Sequence, residues 1–239
     1  MKKLITVLLC ICFTMTLAAQ NEKGQFSIKP MAGVNISTFG SPTFDVYKTT
    51  YKFTGGAEIE YGINPWLGAS LGVIYSQQGA KIEGAMALYA EDDKGKFINY
   101  STMNGKLNCN YLNLPLMANI YLPIIKGLSL KAGLQVGILT GDKNKMDTQT
   151  AVIRAIEDDY AIIEATTNPD EGVIGLSYTL TDVCKTFDFG IPVGISYEYK
   201  NISLDARYYF GLTKIDKTED PDNARNRYLS ITLGYRLKL

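Results

Sequence analysis

Eight stretches of this chain alternate apolar and polar side chains one for one, and that period of two limits the fold more than any other feature. In extended backbone, successive side chains point to opposite faces, so each stretch carries one apolar and one polar face. The stretches are 25–38, 51–63, 66–78, 110–122, 128–140, 187–199, 202–213 and 228–239. In 128–140, Leu130, Ala132, Leu134, Val136 and Ile138 oppose Ser129, Lys131, Gly133, Gln135 and Gly137. In 202–213, Leu204, Ala206, Tyr208, Phe210 and Leu212 oppose Ser203, Asp205, Arg207, Tyr209 and Gly211. Pro115 interrupts 110–122, where it costs a ladder hydrogen bond.

The connections between stretches alternate as well. Asn64-Pro65, the 123–127 segment and Lys200-Asn201 are short, whereas the other links run from about a dozen residues to more than forty. Short turns at one rim and long loops at the other are the build of an outer-membrane barrel. A soluble eight-stranded barrel has no reason to alternate its loops so strictly. Beyond the first twenty residues no run approaches the roughly 18 apolar residues that a membrane helix requires. The expected fold is therefore all-β: an eight-stranded antiparallel up-and-down transmembrane β-barrel with long extracellular loops. Tyr61, Trp66, Tyr197, Tyr199 and Tyr235 fall near the short-turn ends, and Tyr51 and Tyr75 toward the long-loop ends. They mark two aromatic girdles at the membrane interfaces.

Residues 1–19 read as a signal peptide, with Lys2 and Lys3 ahead of an apolar run and Ala18-Ala19 at its end. Residues 20–239 form the barrel domain. Cleavage removes Cys10 and Cys12 and leaves Cys109 and Cys184 in an oxidising compartment. Both fall near the long-loop rim, where a disulfide is possible. The strands that carry or adjoin them are not neighbours, however, and bridging needs Cα atoms within about 7 Å.

The polar faces of the eight stretches supply the lumen. They place Lys29, Lys52, Lys131, Arg207, Arg236 and Lys238 inside, against Glu58, Glu60, Asp188, Glu198 and Asp205. Eight strands leave an interior wide enough for side chains only, and unpaired charges there are costly. The expectation is a paired polar network centred on Lys29, Glu58, Glu60, Lys131, Asp188, Asp205, Arg207 and Arg236. A proton or ion path through the same carboxylates is the alternative.

The chain contains no histidine, which excludes Ser-His-Asp, Cys-His and histidine-zinc chemistry. With 24 Lys+Arg against 24 Asp+Glu, it has no electrostatic footprint for nucleic acid. No catalytic, cofactor or metal site is expected. The 80–109 loop has β-prone flanks around Asp92-Asp93-Lys94-Gly95, which points to a hairpin carrying the third and fourth strands above the membrane. The 141–185 loop is acidic, without the ligand spacing of a calcium loop. Its 152–156 and 160–164 segments suggest a second hairpin around Glu157-Asp158-Asp159, with a short helix as the alternative. Asp93 and Asp158 are the candidate loop-tip contacts.

Several stretches resemble the PorT-type outer-membrane β-barrel domain family of Bacteroidetes-like bacteria. They are Met31-Ala-Gly-Val-Asn-Ile-Ser-Thr38, Val73-Ile-Tyr-Ser-Gln-Gln-Gly-Ala-Lys81, Tyr111-Leu-Asn-Leu-Pro-Leu116, Leu128-Ser-Leu-Lys-Ala-Gly-Leu-Gln-Val-Gly137, Asp205-Ala-Arg-Tyr208 and Leu233-Gly-Tyr-Arg-Leu237. The resemblance covers nearly all of 20–239 and implies a barrel rather than a particular task. The expected role is that of a monomeric, non-enzymatic outer-membrane protein, in contact with outer-membrane lipid and with an extracellular or envelope partner of unknown identity. Its rivals are a small-solute or ion conduit, a barrel enzyme working without histidine, and a soluble ligand-binding barrel.

Overall fold

The computed structural model describes residues 23–40, 47–92, 95–154, 173–180, 184–215 and 224–239. The leader expected at 1–19, and the loop-tip residues Asp93 and Asp158, lie outside them. All regular structure among the described residues is β: β1 (Phe26–Gly40), β2 (Tyr47–Lys48), β3 (Thr50–Asn64), β4 (Leu67–Asp92), β5 (Gly95–Tyr121), β6 (Leu128–Asp142), β7 (Asn144–Arg154), β8 (Val173–Leu180), β9 (Phe187–Tyr199), β10 (Ile202–Gly211), β11 (Arg225–Tyr235) and β12 (Leu237–Lys238).

Eight of these strands close into a ring. β1 pairs with β3, β3 with β4, β4 with β5, β5 with β6, β6 with β9, β9 with β10, and β10 with β11. β11 then returns to β1, with Met31 opposite Gly234, and every pairing is antiparallel. Ring order follows chain order, so the barrel is up-and-down. Side-chain parity matches the sequence: Ser27, Lys29, Glu58, Glu60, Lys131, Asp205 and Arg236 are buried inside. Leu71, Leu116, Leu134, Leu204 and Leu233 are exposed on the wall. That inversion, wet-type chemistry within and bare leucine without, suits only a lipid surround.

The turns explain how neighbours meet. Lys200 and Asn201 have φ of 47° and 68°, the two left-handed residues of a tight hairpin that matches strand twist. Gly127 (φ 85°) closes the β5–β6 turn where a Cβ would lie 2.2 Å from the Glu198 carbonyl oxygen. Pro115 sits where the β4–β5 ladder is interrupted: pairing runs up to Leu71↔Leu116 and resumes at Ile74↔Asn113. Its ring packs inward over Gly72, where an added Cβ would meet the proline Cγ at 2.9 Å.

As the 80–109 hairpin implied, β4 and β5 do not stop at the membrane; they stay paired from Ile74↔Asn113 to Asp92↔Gly95. Two features depart from the sequence reading. β7 joins the far side of β5, from Lys106↔Lys145 to Phe97↔Arg154, and β8 joins β7. With β2 on β4, these strands make a five-stranded sheet above the barrel. The acidic loop thus starts as a strand at Asn144, and that strand's described partner begins at Val173; the 160–164 segment lies outside the described residues. Lys238, expected in the lumen, is instead exposed: it keeps the β1 register opposite Ser27 but stands at the short-turn end of the barrel, one residue from the last of the chain's described residues.

Candidate functional site

The lumen is filled in layers, which stack from the short-turn rim upward. At the bottom, Arg236 on the β11 side gathers the chemistry of four strands. Its Nε donates to Glu198 Oε2 at 2.6 Å, Nη1 to Ser27 Oγ at 2.9 Å, and Nη2 to Glu60 Oε2 at 3.2 Å and to the Tyr121 hydroxyl at 2.9 Å. The Tyr121 hydroxyl in turn donates to Glu60.

The middle layer joins three cations to two carboxylates. Lys29 Nζ lies 3.1 Å from Asp205 Oδ2 and 3.3 Å from Glu58 Oε2. Lys131 Nζ lies 2.8 Å from Asp205 Oδ1 and 3.7 Å from Glu58 Oε2. Arg207 holds Glu58 with both terminal nitrogens, Nη2 to Oε2 at 2.9 Å, in the fork geometry that suits a carboxylate. Arg207 Nη2 also reaches Asp205 Oδ1 at 3.3 Å. These residues come from β1, β3, β6 and β10, so the network ties opposite walls of the barrel across its axis.

Above it lies a cavity of ≈ 20 Å³ bordered by Met31, Ile74, Asn113, Gln135, Arg207 and Tyr228. That is room for about one water molecule. Asn113 Nδ2 and Gln135 Nε2 donate to the Tyr228 hydroxyl at 3.1 and 2.9 Å, and the Tyr228 and Tyr209 rings stack 4.8 Å apart. Asp188 then receives three neutral donors: Tyr209 (3.0 Å), Thr213 (2.8 Å) and Asn226 (2.8 Å).

The long-loop mouth is closed by an apolar cluster of Phe39, Ala80, Cys109, Tyr111, Cys184 and Ile215. Cys109 and Cys184 are joined by a disulfide inside it, with Cα atoms 6.4 Å apart. The bridge skips over β6 because Cys184 precedes β9 and lies over the barrel mouth. Its backbone N–H donates to Asp142 Oδ2 at 3.0 Å.

All eight lumen residues read from the sequence are thus inside, in three groups rather than one. Lys52 lies at the mouth, where its ammonium donates to Asn108. The sequence reading missed Tyr121, Tyr209 and Tyr228 as members of the network; their inward parity was the available signal. Glu58, Glu60, Asp188, Glu198 and Asp205 are each engaged by donors from other strands, which ties the wall together across the lumen.

The sheet above the barrel contrasts with this. Its inner face, which continues the lumen side of β4 and β5, carries Ile82, Met86, Leu88, Met103 and Met146. Met86 and Leu88 are 57% and 56% exposed. On the wall below, an apolar band runs between girdles that include Trp66, Tyr197, Tyr199 and Tyr235 at the short-turn rim and Tyr51, Phe187 and Phe210 toward the other.

Residues 18–217 match the family described as Outer membrane protein beta-barrel domain. No curated protein matches the chain. Among solved structures it is similar to the attachment invasion locus protein Ail of Yersinia pestis, at 14% identity and TM-score 0.44, covering 90% of this chain and 99% of that one. It is also similar to Neisserial surface protein A (14%, TM-score 0.36, 88% and 96% covered). A third likeness is to the N-terminal β-barrel domain of Pseudomonas aeruginosa OprF (10%, TM-score 0.31, 90% and 98% covered).

Proposed function

The chain belongs to the outer membrane protein β-barrel domain family and resides in the outer membrane, and from that premise we propose that it is a non-enzymatic surface protein. Its lumen is a structural plug, and the sheet raised above the membrane is its contact surface for an extracellular or envelope partner. The observation that carries this reading is the continuation of β4 and β5 well beyond what spans a bilayer. A transmembrane strand needs about 9–11 residues, whereas β4 has 26 and β5 has 27. The surplus presents Met86 and Leu88 to solvent, and exposed apolar side chains grouped on one face mark interaction surfaces.

The absence of histidine and the full engagement of Glu58, Glu60, Asp188 and Asp205 support a non-enzymatic role. The ≈ 20 Å³ cavity supports a closed lumen over a conduit. Within the family we read the chain as PorT-type, on the Tyr111-Leu-Asn-Leu-Pro-Leu116 stretch and the others that resemble it. No secretion role is carried over from that likeness.

The test places a photo-crosslinking side chain at Leu88 in intact cells and at Leu134 on the lipid-facing wall as a control. A discrete protein adduct from position 88, lost when residues 84–103 are replaced by a two-residue turn, supports the reading. An adduct pattern identical to that from position 134 overturns it. Planar-bilayer recording of the purified protein is expected to show no steady conductance, and a stable open level would overturn the plug.

A further inference from the structure

One row of residues on the outside of the raised sheet stands out once its register is known. Lys48 of β2 lies opposite Lys81 of β4, Lys81 opposite Lys106 of β5, and Lys106 opposite Lys145 of β7. Four lysines therefore stand side by side across four neighbouring strands, over about 14 Å at the usual ~4.8 Å strand spacing. Directly opposed like charges destabilise a sheet, and none of the four is ion-paired with a described residue. All four are exposed.

Parity settles which way they point. One residue along from Lys48 and Lys81, Tyr47 packs on the apolar cluster at the mouth and Ile82 is buried. A Cβ on Gly105 would meet Met146 Sδ at 2.6 Å on that same inner side. The lysines alternate with these residues, so they project from the outer, membrane-facing side of the wall.

Their height is fixed by the wall below. The lipid-facing column of β5 is apolar through Ile120, Leu116 and Leu112, then turns polar at Asn110, Asn108 and Lys106. In β4 the column passes from Leu71 and Val73 through Tyr75 to Gln77 and Lys81. At ~3.3 Å per residue and a tilt near 40°, Lys106 stands about 15 Å above Leu112. Its long stem lets the ammonium reach back toward the membrane. Between the row and the apolar edge, at the level of the mouth, lies a cleft of ≈ 430 Å³ lined by Lys52, Gln77, Asn108, Asn110, Asp142 and Lys143. Glu83 and Asp147 stand one row farther from the membrane, beyond the lysines.

We propose that the Lys48–Lys81–Lys106–Lys145 row, with Lys52 and Lys143 beneath it, binds the phosphate groups of a phosphorylated glycolipid of the outer leaflet. The charge complements phosphate, and the placement is directly above the lipid-contacting band, where basic residues recognise anionic headgroups. The side-chain amides of Gln77 and Asn110 supply neutral donors to headgroup oxygens. This assignment concerns the outer face of the sheet and is independent of the partner contact proposed for its inner face.

The test is native mass spectrometry of the full chain in detergent micelles with bisphosphorylated lipid A as the probe. The wild type is expected to retain lipid A, and the K81Q/K106Q/K145Q variant to bind it at least tenfold more weakly. K126Q/K200Q, altered at the short-turn rim, is expected to bind as the wild type does. Heat-dependent gel mobility checks that each variant is folded; should the triple variant fail it, K81Q, K106Q and K145Q singly are each expected to weaken binding about threefold. Lipid A stripped of phosphate is expected to bind as weakly as the triple variant does. Equal retention of the stripped lipid, or unchanged binding by the folded variants, overturns the proposal. A soluble sulfated oligosaccharide that outcompetes lipid A overturns the lipid as the occupant.

Discussion

The same two strands, β4 and β5, lead two different lives along their length. In their lower halves, Gly72, Ser76, Asn113 and Asn119 face the barrel interior, in which cations are paired with carboxylates. In their upper halves, beyond the disulfide at Cys109, they belong to a sheet that stays open among the described residues, with an apolar inner face and an outer one that begins on a row of lysines. Backbone pairing is continuous enough to be shared by both, so the contrast comes from closure. A ring forces the inward side chains into one shared space, where they must be satisfied largely by one another. An open sheet leaves its side chains to water, lipid or a partner.

Substitutions can break or sharpen this contrast, and the largest effect is expected in the middle layer. Glu58→Ala would leave Lys29, Lys131 and Arg207 facing Asp205 alone. Removing one partner from a buried ion network costs about 3–5 kcal/mol, to be read as a lower urea midpoint for the protein folded in lipid vesicles. Next comes the boundary between the regions. Replacing Cys109 and Cys184 by serine, or adding reductant to the wild type, is expected to lower stability by about 2–4 kcal/mol, seen as an earlier loss of heat-dependent gel mobility. An unchanged transition would mean that the apolar mouth holds itself closed.

A smaller effect is expected from Tyr228→Phe, which strips the acceptor from the Asn113 and Gln135 amides. Two donors left without that partner should cost about 1–3 kcal/mol, measured by the same urea titration. The smallest belongs to the raised sheet. Met86→Ser and Leu88→Ser alter exposed positions and should shift stability by no more than about 0.5 kcal/mol, while weakening the partner adduct. A large loss there would show that the two regions fold as one unit.

Much of the barrel was legible because period-two alternation encodes both the strand and the face. Lys131 between Leu130 and Ala132, or Asp205 between Leu204 and Ala206, has only one place to go once its neighbours meet lipid. The β4–β5 extension was legible in part, since Asp92 and Gly95 bracket a turn signal. β7 and β8 were not, because a polar run such as Asn144 to Gln149 pairs through its backbone and leaves little trace in side-chain pattern. The disulfide was ambiguous because Cys184 lies ahead of β9, over the barrel mouth beside Cys109, a placement no spacing rule records. The tyrosines of the lumen were masked by those of the girdles, as the residue type serves both. The lysine row was invisible for another reason: positions 48, 81, 106 and 145 become neighbours only through register.

The seam between the first and last ring strands carries a consequence for biogenesis. Residue 31 finds its partner at 234, so the two edges that must zip together leave the ribosome at opposite ends of synthesis. Until that final zipper closes, the intermediate is a curled ribbon with two hungry margins, and the five ionic residues at its heart have no shared enclosure. Whatever escorts the chain to its membrane must therefore shield both margins at once and release them together.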